Sequence, residues 1–245
     1  MDLLVDIGNS ATKFGVANSE EISLIFFVPT NKLVEELYRN KLPETIDNIY
    51  ISSVVPEKTR ELHKFISFRY KKEATIINPL DKSGVNIDID NPAELGADLL
   101  CDLAAANFYY GHPVLVIDAG TATKILYIDE NNSFYCCAIT PGLELQQSVL
   151  NKGTALLPKI NSKKVKPLLE CKNTIDVINS SSYYAHIDMV NGLIARFEKE
   201  IGHPVKKVIT GGNISLLKEH FNFEYNYDPL LCLKGIKVIG NNKEK

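Results

Sequence analysis

The sequence predicts an α/β protein built twice over, with two mixed β-sheets flanked by helices, one half in residues 1–112 and the other in residues 113–245. Three observations carry this expectation. Short apolar runs alternate with stretches of helical periodicity along the chain, the pattern of layered α/β domains. The length of 245 residues accommodates two halves of roughly 120, each able to bury a core. Finally, "LLVDIGNSATKFGV" (residues 3–16) returns as "VLVIDAGTATKILYI" (114–128). Both are apolar strands that end in an acid, bend through a glycine and resume as Ala-Thr-Lys. Asp118 answers Asp6 and Lys124 answers Lys13.

Taken in order, strands are expected at 2–7, 11–17 and 22–28, the first pair joined through Asn9-Ser10 as an antiparallel meander. Helical spacing follows at 31–41, then a strand at 47–53. Pro56 opens a helix to 69, because proline is favoured in a first helical turn, and a short strand follows at 74–77. Residues 78–92 read as loop, broken by Asn78-Pro79, Ser83-Gly84 and Asn91-Pro92. From Glu94 to Tyr110 the spacing is helical again, until Gly111-His112-Pro113 stops it. The second half has strands within 114–128 and at 133–140, a helix from Pro141-Gly142, a long helix over 174–201 and a strand at 205–210. Its turn Thr210-Gly211-Gly212-Asn213 opens a further helix, and the polar tail 241–245 reads as frayed.

Composition narrows the class. A net charge of -3 and a pI near 6.0 leave no electrostatic footprint for nucleic acid. No window approaches 18 unbroken apolar residues, so no membrane span is expected, and Asp2 and Asp6 do not resemble a secretory leader. The five cysteines (Cys101, Cys136, Cys137, Cys171 and Cys232) contain no C-x-x-C pair. They read as free thiols of a cytoplasmic protein. The five histidines have no metal-ligand spacing.

Each copy of the repeat sets a carboxylate at a strand end beside a glycine turn. Backbone N–H groups in such a turn can cradle an anion, and the hydroxyls of Ser10, Thr12, Thr121 and Thr123 can add donors. A carboxylate repels phosphate but can hold a cation that bridges phosphate oxygens. Two such turns facing one another across a cleft would clasp the phosphates of a nucleotide.

The duplicated D-x-G hairpins resemble the actin-like ATPase superfamily, whose halves are ribonuclease-H-like. Within it, "DIGNSATKFGV", "NPAELGADLLCDLAAA", "VIDAGTATKI", "ITPGLELQQSVL", "NTIDVINSSSYYAHIDMVNGLI" and "VITGGN" resemble type III pantothenate kinases, in that family's order and over nearly the whole chain. The resemblance implies a cytoplasmic, homodimeric enzyme that phosphorylates pantothenate with ATP and magnesium at the start of coenzyme A biosynthesis. It places ATP on Asp6, Ile7, Gly8, Asn9, Ser10, Ala11, Thr12, Lys13 and Thr121, with Gly211 and Gly212 near the adenosine. Asp118 would hold a monovalent cation, potassium or ammonium. Asp98 would be the general base, and pantothenate would meet Gly96, Ala97, Asp98, Leu99 and Ile89, with Thr174 supplied across the dimer interface.

Asp98 also stands on local physics, since it falls in the first turns of a helix beginning near Pro92 and Glu94, where the helix dipole favours a carboxylate. Asp102, one turn on, is the rival on the same face. Two positions depart from the family pattern. Leu99 stands where G-A-D is followed by arginine, and Ile89 stands where a substrate-contacting tyrosine is usual. Ser181 also replaces a customary glycine. These departures on the acceptor side keep two other readings open: a catalytically impaired, regulatory nucleotide-binding paralog, and a kinase for another small hydroxylated acceptor. For the dimer, the helix from Thr174 carries Ile175, Ile178, Tyr183, Ile187, Val190, Leu193, Ile194 and Phe197, more apolar surface than one buried face needs.

Overall fold

The strand β1 (Asp2–Ile7) is buried along its whole length, so its alternating side chains serve two different layers. In the computed structural model, which describes residues 1–18, 21–39, 42–160 and 164–243, β1 pairs antiparallel with β2 (Ala11–Ala17), which pairs antiparallel with β3 (Ile22–Pro29). On its other side β1 runs parallel to β4 (Ile49–Ser53), and β4 parallel to β5 (Thr75–Ile76). Leu3, Val5 and Ile7 point into a core completed by Leu33 and Leu37 of α1 (Leu33–Arg39) and by Leu62 and Ile66 of α2 (Pro56–Tyr70). Asp2, Leu4 and Asp6 point the other way. Against that side of the sheet lies α3 (Ala97–Tyr110), which contacts β4.

The second sheet contains β7 (Val114–Ala119), β8 (Ala122–Ile128), β9 (Ser133–Pro141), β10 (Lys206–Thr210) and β11 (Asn226–Tyr227). Their order, β9-β8-β7-β10-β11, repeats β3-β2-β1-β4-β5 strand for strand. The duplication seen in fourteen residues of sequence therefore extends to the topology of both sheets. The second sheet has a sixth strand, β6 (Asn86–Ile87), parallel to β9 at Ser133 and Phe134. It comes from the stretch read as loop. Two residues without an apolar run carry no periodicity, and this strand is set by its ladder, Asn86 N–H to the Asn132 carbonyl and Asp88 N–H to that of Phe134.

Helices α4 (Leu143–Gly153) and α5 (Thr174–Ile201) pack on each other, and the short α6 (Ile214–Leu217) follows β10. The side chain of Asn173 caps α5 by accepting from Asp176 N–H at 2.9 Å, and Gly202 ends it at φ 94°. Helix α7 (Leu231–Lys243) was not anticipated, and residues 241–243 of the expected frayed tail are its last turn. Residues 244 and 245 lie outside the described set. Gly235 and Gly240 weaken the helical signal of α7, at about 1 kcal/mol each relative to alanine. Packing explains both. A Cβ at 235 would stand 1.8 Å from the Cys101 carbonyl oxygen of α3, and one at 240 would stand 2.8 Å from the ring of Tyr50. Helices α7 and α3 meet almost backbone to backbone, and Lys237 of α7 pairs with Asp2.

The chain divides into two compact units. One comprises Met1–Val114, Tyr127–Cys136 and Leu230–Lys245; the other comprises Leu115–Leu126 and Cys137–Pro229. Among the described residues no helix is long and apolar enough to cross a membrane.

Candidate active site

In the first unit the β1–β2 bend is closed by Gly8 N–H on the Ala11 carbonyl at 3.1 Å. It is fixed from outside by Thr30, just past β3. Thr30 N–H donates to the Ser10 carbonyl at 3.1 Å and its hydroxyl to that of Gly8 at 2.7 Å. With that proton committed, the Thr12 hydroxyl donates to Thr30 Oγ1 at 3.0 Å. Thr12 is fully buried, so its hydroxyl locks the turn, while Asn9 and Ser10 stand exposed at the tip. Asp6 is 8% exposed and lies opposite Lys13 in the ladder, with Nζ 3.9 Å from Oδ2.

The second unit repeats the device one residue tighter. Gly120 N–H meets the Ala122 carbonyl at 3.1 Å, and Gly142, just past β9, donates its N–H to the Thr121 carbonyl at 2.9 Å, as Thr30 does to Ser10. Gly142 has ordinary backbone angles (φ -68°, ψ 168°), but a Cβ there would lie 2.2 Å from the Gly120 oxygen. Gly211, at φ 105°, presses on Ala119, where a Cβ would come within 2.4 Å of the carbonyl oxygen. Asn213 then bonds the Ala119 carbonyl through its N–H at 2.9 Å and the Gly120 carbonyl through its side-chain amide at 3.3 Å. The turn after Asp118 is thus walled by backbone on two sides, with Thr121 exposed at its tip.

Two contacts in this unit had no role in the sequence reading. Lys124 Nζ lies 2.7 Å from Asp118 Oδ2, and each side chain is 15% exposed. Asp118 was expected to hold a free monovalent cation, yet the carboxylate already faces an ammonium group from its own hairpin. Lys124 was visible in the repeat, but spacing alone does not show which lysine reaches its acid. His186 of α5, buried and dismissed for want of ligand spacing, bonds Thr123 Oγ1 through Nε2 at 3.0 Å and the Gln146 amide through Nδ1 at 3.1 Å. The amide nitrogen only donates, so Nδ1 accepts and Nε2–H points at the threonine. Burial holds the imidazole below its usual pKa, in the neutral form this pairing requires.

The acceptor-side residues gather at the start of α3. Gly96 is its N-cap, and Asp98 folds back so that Oδ1 accepts from Leu99 N–H at 2.9 Å. A Cβ at residue 96 would lie 2.5 Å from that oxygen, which accounts for the glycine before Ala-Asp. Ala97 is 5% and Leu99 7% exposed, Ile89 is half-buried, and Asp102 is 2% exposed, deeper than Asp98. The buried thiol of Cys232 in α7 joins the two motifs of this unit. Its pKa is raised well above normal by a hydrogen bond with Cys101, by burial, and by the charges of Asp6 and Asp102. Helix α7, which carries this thiol, contacts both α3 and β1, the elements that carry the G-A-D and D-x-G motifs. Thr174, the first residue of α5, is exposed and belongs to the second unit. Among the described residues no cluster of three or more His, Cys, Asp or Glu is arranged to hold a metal ion.

Two sheets that share one five-strand order, each with an acid-glycine hairpin, have the fold of the actin-like ATPases and sugar kinases. Within that class a profile of type III pantothenate kinases matches residues 2–196, and the chain belongs to the type III pantothenate kinase family. It is similar to a type III pantothenate kinase of Acholeplasma laidlawii, 35% identical over 245 residues and 98% of both chains. Another, from Exiguobacterium sibiricum, is 30% identical over 250 residues, again 98% of each. Among solved structures, a Baf family protein from Campylobacter jejuni has the same fold. Its TM-score is 0.61 at 21% identity, over 99% of this chain and all of that one.

Proposed function

We propose that this protein transfers the γ-phosphoryl group of ATP to the primary hydroxyl of pantothenate, giving 4'-phosphopantothenate and ADP, the opening step of coenzyme A biosynthesis. The observation that carries the reading is the coexistence of full-length family similarity with both hairpins and an Asp98 held at the head of α3. In the reaction the acceptor oxygen bonds the γ-phosphorus, the bridge to the β-phosphate breaks toward ADP, and the hydroxyl proton passes to Asp98. A loose transition state asks little of the base and much of positioning. That suits a carboxylate pinned by its neighbour's N–H.

In this reading residues Asp6 to Lys13 and Thr121 serve ATP with its magnesium, and Gly96, Ala97, Asp98, Leu99, Ile89 and Thr174 serve pantothenate. The resemblance gives Asp118 a potassium or ammonium ion as partner. In this chain its hairpin partner is the ammonium group of Lys124. Halves 1–112 and 113–245 are the proposed units of duplication. A homodimer through α5 is also proposed. Ile178, Tyr183, Ile187, Val190 and Ile194 are buried within the fold, but Ile175 and Val177 remain 44% and 47% exposed. Val149 of the adjoining α4 (55%) and Leu169 (100%) add to the same unit's uncovered apolar surface. Free thiols at all five cysteines suit a cytoplasmic location.

The direct test is ADP release from ATP and magnesium, with and without pantothenate. Pantothenate-dependent release supports the reading. ATP binding without such release would favour the regulatory paralog that Leu99 and Ile89 suggest, and release with another hydroxylated acceptor would favour a different kinase.

A further inference from the structure

The two hairpins differ in one respect that matters to the chemistry at their acids. In the first, Lys13 stands directly across the ladder from Asp6, yet Nζ stops 3.9 Å from the carboxylate. In the second the bend is one residue shorter. Gly120 closes onto Ala122, two residues on, whereas Gly8 closes onto Ala11, three residues on. There Lys124 reaches Asp118 at 2.7 Å, the distance of a full charge-assisted hydrogen bond. Both partners are largely withdrawn from water, where such a pair is screened far less than on an open surface. Gly142, Gly211 and Asn213 fix the same turn through backbone contacts, so the hairpin presenting the pair is held in place.

We infer that Lys124 is this chain's resident monovalent cation: its ammonium group occupies the place beside Asp118 that a free potassium or ammonium ion fills in the reading above, so the protein needs no added ion. The inference rests on the proposal that the Asp118 turn serves ATP. An alkylammonium carries the same single charge as potassium and is tethered, so it is present at every salt composition. Lys124 is a positioning residue in this account. It neutralises Asp118 and keeps that carboxylate from repelling the nucleotide's phosphates.

The experiment uses the full chain purified in choline salts, free of potassium and ammonium. Two readouts are followed as potassium chloride replaces choline chloride: pantothenate-dependent ADP release, and the rise in melting temperature produced by a non-hydrolysable ATP analogue with magnesium. The wild type is expected to change less than about twofold in rate, with an unchanged ligand-induced melting shift. Lys124→Ala should bind the analogue roughly ten- to a hundred-fold more weakly in choline, the range for loss of a charged hydrogen bond. Potassium, ammonium or ethylammonium should restore it, and Lys124→Arg should stay independent of potassium. If Lys124→Ala does not fold, Lys124→Met gives the same comparison.

A wild type stimulated tenfold or more by potassium in both readouts would overturn the inference. So would a Lys124→Ala protein that binds the analogue as tightly as wild type without potassium. Absence of ADP release under every cation would overturn the kinase reading instead, while the melting shifts would still decide the role of Lys124.

Discussion

Gly142→Ala is the sharpest single test of how the second hairpin is held. The backbone at 142 (φ -68°, ψ 168°) is open to any residue, so alanine brings no conformational strain, and steric contact is the only thing that changes. Its Cβ would lie 2.2 Å from the Gly120 oxygen and 2.6 Å from that of Thr121, whereas Cβ contacts below 3.0 Å essentially do not occur. The turn must therefore retreat by about 0.8 Å or more, or the start of α4 must, and the Gly142 N–H bond to Thr121 stretches with it. Overpacking of this kind costs roughly 1–3 kcal/mol. At roughly 2–4 °C per kcal/mol for a chain of this size, the melting temperature should fall by several degrees while the protein stays folded. A displacement near 1 Å at a phosphate-positioning element can cost up to about a hundred-fold in rate. We expect kcat/KM for ATP to fall roughly ten- to a hundred-fold, with the KM for pantothenate little changed, in coupled ADP-release kinetics with circular dichroism as the folding control. Wild-type kinetics and melting in Gly142→Ala would refute the claim that backbone crowding positions the Asp118–Thr121 turn.

Three further outcomes are expected. Asp98→Asn should leave ATP-induced thermal stabilisation intact and slow turnover by about a hundred-fold or more, the usual scale for a lost general base; retained turnover with loss in Asp102→Asn would move the role one helical turn inward. Leu99 is 7% exposed, so Leu99→Arg should lower the melting temperature without improving the KM for pantothenate; a tenfold fall in that KM would show the acceptor carboxylate within the new side chain's reach. The pKa of His186 is depressed by burial in the folded state, so the unfolded chain binds more protons than the native one below about pH 6.5. Stability should therefore be full above that value and decline as pH falls through the lowered native pKa, and His186→Gln should flatten that part of the curve in urea titrations.

What sequence made legible, and what it did not, follows from the range of the forces involved. The D-x-G strand ends, the meander and the presence of α3 were readable because period and turn chemistry are local, but α3 begins at Ala97, after a separate turn over Pro92–Glu94 that the periodicity had merged with it. Helix α7 was not. Its interior glycines argue against a helix until the Cys101 backbone of α3 is seen to demand them. Strand β6 is too short for any pattern and exists only through its partner β9. The Lys124–Asp118 pairing was hidden for a subtler reason: Lys13 and Lys124 occupy the same place in the motif, and a one-residue difference in the bend decides which of them reaches its acid. Thr30 and Gly142, which fasten the two turns, lie some twenty residues from them in sequence; Thr30 carries no motif, and Gly142, though part of "ITPGLELQQSVL", reads only as a helix start until the Thr121 carbonyl is seen against its N–H.

The docking of α7 against β1 and α3 bears on how the polypeptide is assembled at the ribosome. Helix α7, which packs on β1, is translated more than two hundred residues after it. The other unit, 115–126 with 137–229, has all its residues before α7 is made. Until α7 is made, α3 is, among the described residues, the only helix available to the α7-facing side of the first sheet, and Asp2 has no Lys237 to pair with. A chain truncated before residue 231 would therefore uncover Asp2 and the Cys101 backbone, against which Lys237 and Gly235 pack.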